Sequence, residues 1–213
     1  MNSWGDEVIA GEFAGCPGLV YRRRPRTYAD LLTGVDRWAP RTFLVQGERR
    51  IGFGDFLAAV DTARGRLADR AVRPGDRVLH AYNSPDWVLA LWTIWAAGAV
   101  PVLGNRWWSA KEAAPSLNLV RPRVVITDDP GLSCDSRLVD IADLSDCFGG
   151  FSAGPPEVPG PADEEAPAVI LFPSGSTGMP KAVELPFRSV EAHQQNVLAR
   201  SRQLPPLIPA DGP

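Results

Sequence analysis

Apolar residues along the chain follow two spacings, one typical of amphipathic helices and the other of short buried strands. They recur every three or four positions from Phe56 to Leu67, which predicts a helix over residues 54–70. Short apolar runs between turn-forming residues predict buried strands. These predicted strands cover residues 42–46, 49–52, 77–82, 99–103 and 124–127. Because strands and helices alternate, we expect an α/β fold: a layered, largely parallel sheet with flanking helices.

Three helix starts carry side chains that suit helix caps. Ser84 is the expected N-cap of one helix, with Pro85 at its first helical position. Ser109 and Glu112 have the spacing of a capping box. Thr27 is a candidate N-cap for an earlier helix, which should end before the proline at position 40. These local signals fix where we expect helices to begin.

Composition and periodicity divide the chain into five segments. Residues 1–26 have no period and are predicted to be irregular, whereas residues 27–150 are predicted to form an α/β subdomain. Residues 151–167 are rich in Pro, Gly, Ala and Glu, which is typical of an exposed, mobile linker. Residues 168–202 are predicted to form a strand, a loop, a second strand and a helix. Residues 203–213 are predicted to be a disordered tail.

Charge and cysteine content argue against several functional classes. The net charge is −3, from 22 basic and 25 acidic residues, so we predict no nucleic-acid partner. Cys16, Cys134 and Cys147 are odd in number and widely spaced, which favours reduced thiols in a cytoplasmic protein over a disulfide framework or zinc site. The uncharged stretch at residues 87–103 is shorter than the roughly 18 apolar residues of a membrane-span candidate. We therefore predict no membrane span.

The candidate chemistry lies in the loop that follows a predicted strand at residues 168–172. Its two glycines allow close backbone approach, so that successive N–H groups can face an anion. Its three hydroxyls can donate to phosphate oxygens or reach a bound cation, which leaves the metal ligand unknown. The lysine that closes the loop adds positive charge, and the chain has only one other, Lys111. The predicted phosphate-binding residues are Ser174, Gly175, Ser176, Thr177, Gly178 and Lys181.

The sequence at residues 172–182, Phe-Pro-Ser-Gly-Ser-Thr-Gly-Met-Pro-Lys-Ala, lacks the Gly-x4-Gly-Lys-Ser/Thr pattern of a Walker A loop. It resembles the phosphate-binding signature of the adenylate-forming (AMP-binding) superfamily, which includes acyl-CoA synthetases, luciferases and the adenylation domains of peptide synthetases. Pro173 departs from the Thr or Ser that is usual there. Residues 73–87 and 96–105 resemble further family segments in the family's order. The resemblance spans about residues 27–202.

This resemblance implies the N-terminal part of the large domain of an adenylate-forming enzyme. The family uses ATP and Mg²⁺ to turn a carboxylic acid into an acyl-adenylate, and then forms a thioester, usually with coenzyme A. By resemblance, Lys181 is the catalytic residue and offsets charge on the departing pyrophosphate. The family's adenine-binding, ribose-binding and C-terminal segments have no counterpart here. We therefore expect an AMP-forming acid–CoA ligase, present as an N-terminal fragment that is inactive alone and lacks its C-terminal portion, with fatty acids among the candidate substrates.

Alternatives remain open at this stage. The pair Trp107-Trp108 favours the acyl-CoA synthetase branch, although packing is the expected role of these two side chains. An adenylation domain of a peptide synthetase is one alternative, and a non-catalytic remnant or partner-binding module of the same fold is another. A phosphohydrolase that uses the loop alone is disfavoured, because no Walker B carboxylate pair follows a strand. The histidine usual after the loop in the family is also absent, and His193 lies further along the chain.

Overall fold

The computed structural model describes most of the chain. The described residues are 4–13, 15–32, 35–81, 84–105, 107–128, 137–140, 144, 146–148, 163–173 and 181–202. Within them the elements are β1 (Val8–Phe13), β2 (Cys16–Tyr21), α1 (Tyr28–Leu32), a 3₁₀ turn (Val35–Trp38), β3 (Thr42–Gln46), β4 (Arg49–Gly52), α2 (Phe53–Asp69), β5 (Arg77–Ala81), α3 (Pro85–Ala96), β6 (Val100–Leu103), α4 (Ala110–Val120), β7 (Val124–Thr127), β8 (Arg137–Asp140), β9 (Pro167–Leu171), β10 (Val183–Pro186) and α5 (Phe187–Arg200).

The predicted irregularity of residues 1–26 is wrong, because β1 and β2 form an antiparallel hairpin. Gly15 in its turn has a φ of 77°, a conformation that glycine adopts without strain. β1 alternates between exposed and half-buried positions, but apolar residues occupy both: Ile9 and Phe13 are half-buried, whereas Val8 is 49 % exposed and Leu19 on β2 is 78 % exposed. The sequence of the hairpin therefore shows no alternation of apolar and polar residues from which a strand could be predicted. The segment that follows the hairpin is held by a distant residue, since Gln195 on α5 donates to the backbone carbonyl of Arg23 at 2.8 Å.

A six-stranded sheet forms the centre of the fold, in the order β10-β9-β6-β5-β7-β8. Neighbouring strands are parallel except β10, which runs antiparallel to β9. The predicted α/β fold with a largely parallel sheet is thus confirmed. Strands on both sides of the predicted linker share this sheet, and residue 167, which the sequence assigns to the linker, begins β9. Residues 151–162 and 203–213 of the predicted linker and tail lie outside the described residues.

Most helix predictions agree with the structure. The helix predicted over residues 54–70 is α2. Ser84 caps α3, because its hydroxyl accepts hydrogen bonds from the backbone N–H groups of residues 86 and 87. The Ser109–Glu112 capping box at the start of α4 also forms. The helix predicted from Thr27 is shorter than expected, since it ends at Leu32 and a separate 3₁₀ turn follows.

Within the described residues the core consists of two apolar clusters. The first is built around α2 and α3, where Leu67, Leu89 and Ile94 are fully buried. The second is built around α4 and includes residues of β6, β7 and β9. Successive residues of β7, Val124 and Val125, belong to different clusters, because side chains along a strand alternate between the faces of its sheet. The central strands are therefore covered on both faces, as parallel sheets require.

Candidate functional site

The predicted phosphate loop follows the carboxyl end of β9. The last pairs that β9 makes with its neighbours involve the same residue: Leu171 pairs with Leu103 of β6 and with Val183 of β10. Because β6 and β9 are parallel, the chain leaves β9 at the carboxyl edge of the parallel sheet. Phosphate-binding loops of α/β folds lie at this edge.

The structure describes both flanks of this loop. Phe172 and Pro173 precede it, and Lys181 follows it, two residues before β10 begins. The Lys181 side chain is exposed to solvent. The predicted binding residues Ser174, Gly175, Ser176, Thr177 and Gly178 lie outside the described residues. Their assignment remains a prediction from the sequence.

A cluster of aromatic side chains holds the amino end of β9. Both the Tyr28 hydroxyl (3.2 Å) and the Trp95 indole N–H (2.8 Å) donate to the backbone carbonyl of Ala168. The two rings stack at a centroid distance of 4.4 Å, and Phe187 packs edge-on against Tyr28 at 4.7 Å. Burial raises the pKa of the Tyr28 phenol, so it stays protonated and keeps donating to the carbonyl. The start of β9 is thus fixed by two side-chain hydrogen bonds.

An aromatic pair also holds the carboxyl end of β9. The rings of Trp108 and Phe172 meet edge to face, with centroids 4.9 Å apart and an interplanar angle of 82°. Both side chains are partly buried against the second apolar cluster. The packing role expected for the tryptophan pair therefore holds for Trp108. It does not hold for Trp107, which is 81 % exposed.

A buried carboxylate lies on α5, the helix that continues from β10. Glu191 is only 2 % exposed, and neither of its carboxylate oxygens has a hydrogen-bond partner among the described residues. Burial raises its pKa to about 7; the nearby Arg24 guanidinium opposes this rise, whereas the Glu164 carboxylate adds to it. Arg24 is itself bound to Glu164 at 2.8 Å. Nothing in the local sequence pattern predicts this burial.

Two cavities lie away from the predicted loop. One, of about 190 Å³, lies at the amino edge of the sheet and is lined by Tyr28, Trp95 and Phe187 among others. The other, of about 560 Å³, lies between the β1–β2 hairpin and α5 and includes Glu191 and His193. His193 is exposed on α5. Neither cavity is lined by the described residues that flank the loop.

The described part of the chain offers no metal centre of its own, since no group of three or more His, Cys, Asp or Glu side chains there could hold an ion. Cys16 is exposed and Cys147 is buried. Cys134 lies outside the described residues. No helix in the described ranges is long and apolar enough to cross a membrane.

Sequence comparisons match most of the chain to known enzymes. The profile of the family described as AMP-binding enzyme matches residues 27–206. The chain is 30 % identical over 182 residues to the salicyl-AMP ligase / salicyl-S-ArCP synthetase of Mycobacterium tuberculosis, covering 69 % of this chain and 30 % of that protein. It is 29 % identical over 184 residues to triostin synthetase I of Streptomyces triostinicus, covering 76 % of this chain and 34 % of that protein. The chain thus spans about a third of the length of these curated relatives.

Solved structures share the fold. The N-terminal subdomain of Klebsiella oxytoca NpsA in complex with 3-hydroxybenzoyl-AMSN has a TM-score of 0.65 and 23 % identity, with 77 % of this chain and 42 % of that chain covered. The o-succinylbenzoate CoA synthetase of Bacillus subtilis in complex with the acyl-adenylate OSB-AMP has a TM-score of 0.60 and 24 % identity, with 73 % of this chain and 42 % of that chain covered. At these identities the similarity is one of fold.

Proposed function

The chain belongs to the AMP-binding enzyme family, and from this premise we propose that it contributes the phosphate-binding part of an enzyme that activates a carboxylic acid with ATP. In that reaction a carboxylate oxygen attacks the α-phosphorus of ATP, and an acyl-adenylate forms as pyrophosphate leaves. The observation that carries the proposal is that β9 ends at Leu171, paired with β6 and β10, so that the chain leaves β9 toward the predicted loop from the carboxyl edge of the parallel sheet. This edge is where α/β folds bind phosphates.

Each residue type in the loop has a role in this proposal. The backbone N–H groups around Gly175 and Gly178 are assigned as donors to phosphate oxygens, and the hydroxyls of Ser174, Ser176 and Thr177 as further donors. Lys181 offsets the charge that develops on pyrophosphate as it leaves. Mg²⁺ would be held by the ATP phosphates, and would there neutralise part of their charge. The residues of this chain thus hold and orient the triphosphate, and stabilise charge without forming a covalent bond.

The acceptor thiol has two candidates. The curated relatives include a salicyl-S-ArCP synthetase and a triostin synthetase, which favours a carrier-protein thiol, as in the adenylation domains of peptide synthetases. The fold is shared with a CoA synthetase, which keeps coenzyme A as the second candidate. Salicyl and 3-hydroxybenzoyl groups in the names of the relatives favour an aryl acid over a fatty acid as the substrate.

Binding of Mg²⁺–tripolyphosphate to the purified chain, measured by isothermal titration calorimetry, tests the proposal. This probe reports on the phosphate site without requiring adenine or ribose contacts. We expect saturable binding that Gly178→Val weakens by roughly 5- to 150-fold, since valine at a strained or crowded backbone position costs about 1–3 kcal/mol. Lys181→Ala should weaken binding less, because the backbone donors remain, and should act mainly on adenylation in an assembled enzyme.

Lys111→Ala is the matched control, because Lys111 is exposed on α4 and its loss removes the same charge. It should bind the probe as the unmodified chain does. If the unmodified chain shows no binding, the proposed function fails. If Lys181→Ala abolishes binding while Gly178→Val binds normally, the loop is not a backbone-built phosphate site.

A further inference from the structure

We propose that Trp108 is a positioning residue for phosphate binding, acting through Phe172 on the direction in which the chain leaves β9. This inference rests on the proposed function. It concerns the turn between β6 and α4, which carries the aromatic side chain that contacts the start of the phosphate loop.

The register of β9 explains why Phe172 needs such a contact. The paired residues of β9 end at Leu171 on both sides, against Leu103 of β6 and Val183 of β10. Phe172 is therefore the first residue beyond both ladders. The sheet fixes the strand up to Leu171, and the ring of Trp108 contacts the next residue, with the two ring centroids 4.9 Å apart. A loop that starts from a fixed residue has fewer orientations open to it, so less ordering is needed when phosphate binds.

The turn that carries Trp108 is itself well anchored. The backbone N–H of Trp108 donates to the carbonyl of Asn105 at 3.1 Å, and the side-chain oxygen of Asn105 accepts from the backbone N–H of Trp107 at 3.0 Å. On the other side, the backbone N–H and hydroxyl of Ser109 both donate to Glu112, in the capping box of α4. Trp108 thus lies between a hydrogen-bonded turn and a capped helix, which fixes its backbone from both directions.

The two ends of β9 provide a contrast. At the amino end, Tyr28 and Trp95 hold Ala168 by hydrogen bonds, far along the strand from the loop. At the carboxyl end, the Trp108–Phe172 contact lies at the origin of the loop. Loss of the first contact should affect the stability of the fold. Loss of the second should affect phosphate binding as well.

Three variants of the full chain test the inference. Trp108→Leu removes the ring but keeps an apolar side chain, whereas Trp108→Phe keeps a ring that can meet Phe172. Trp92→Leu is the matched control: Trp92 is also partly buried and packs edge to face on another ring, that of Trp95, at 5.3 Å, but it belongs to the first apolar cluster. Each variant is titrated with Mg²⁺–tripolyphosphate, and its unfolding by urea is measured separately.

We expect Trp108→Leu to weaken tripolyphosphate binding by roughly twofold to tenfold, as the loss of an edge-to-face aromatic pair implies. Trp108→Phe should restore most of the affinity. Trp92→Leu should lower stability and leave affinity unchanged. If Trp108→Leu binds as tightly as the unmodified chain, or if Trp92→Leu weakens binding by the same factor, Trp108 has only a structural role and the inference is overturned.

Amide hydrogen exchange separates this inference from the proposed function, because it requires no ligand. Trp108→Leu should speed exchange at residues 172–182 while exchange in α3 stays unchanged. Unchanged exchange at residues 172–182 would refute positioning even if the chain binds phosphate. If exchange is faster but the unmodified chain does not bind tripolyphosphate, the proposed function fails and the positioning role fails with it.

Discussion

Replacing Glu191 by Gln should stabilise the protein at pH 8 and have little effect at pH 4.5. Glu191 is 2 % exposed, and within the described part of the chain neither of its carboxylate oxygens has a hydrogen-bond partner. Burial raises its pKa from the ordinary value of 4.5 to about 7. The folded protein therefore holds this proton more tightly than the unfolded chain does, and ionisation of Glu191 disfavours the folded state.

The direction and size of the effect on stability follow from the two pKa values of Glu191, 4.5 in the unfolded chain and about 7 in the folded protein. Below about pH 4.5 the carboxyl is protonated in both states, so it costs nothing. Between pH 4.5 and pH 7 the unfolded chain loses the proton first, and the stability of the folded state falls as pH rises. Each pH unit in this interval lowers the free energy of unfolding by about 1.36 kcal/mol. The total loss is therefore about 3 kcal/mol, and it is complete above pH 7. The amide of the Glu191→Gln variant carries no charge at any of these pH values and avoids the loss.

Other charged groups near Glu191 set the design of the measurement. Arg24 opposes the rise in pKa and Glu164 adds to it, while Arg188 and His193 line the same cavity. Because these groups are present in both proteins, the difference in unfolding free energy between Glu191→Gln and the unmodified chain isolates position 191. Urea unfolding at pH 5, 6, 7 and 8 gives this difference at each pH.

Glu48→Gln is the control, since Glu48 is exposed in the turn between β3 and β4. Its effect should stay within about 0.5 kcal/mol at every pH, as is usual for surface substitutions. The reasoning is refuted if the advantage of Glu191→Gln is the same at pH 5 and pH 8. It is also refuted if the unmodified chain gains stability relative to this variant as pH rises.

Two further predictions concern the fold. Leu89→Ala should lower the free energy of unfolding, measured in urea, by about 2–5 kcal/mol. Leu89 lies on α3 and is fully buried in the first apolar cluster, so its truncation leaves a cavity. A cost below about 1 kcal/mol would contradict this packing. Ser84→Ala should cost about 1 kcal/mol in the same assay, since the hydroxyl of Ser84 accepts two backbone hydrogen bonds at the start of α3. Ser84→Asp, which can also cap a helix, should recover most of that loss, and equal losses for both variants would show that capping is not the cause.

The sequence by itself determined the elements whose signals are local. The apolar spacing in residues 54–70 predicts α2 within one residue of its observed ends. The caps at Ser84 and Ser109 are also local, because each involves a side chain and backbone groups two or three residues away. The family could be inferred from residues 172–182, since a run of glycines, hydroxyls and one lysine in a specific order is contained in the sequence itself.

Only the tertiary structure decided which distant segments meet. β9 lies beside β6 rather than next to β8, its predecessor in the chain, and this order brings Phe172 against Trp108. In the β1–β2 hairpin apolar residues occupy exposed as well as half-buried positions, so the sequence of its strands carries no period-two signal. Glu191 lies on a helix among polar residues, where a carboxylate is ordinarily exposed. It is buried because the N-terminal segment folds back against α5, a long-range contact that no local pattern encodes.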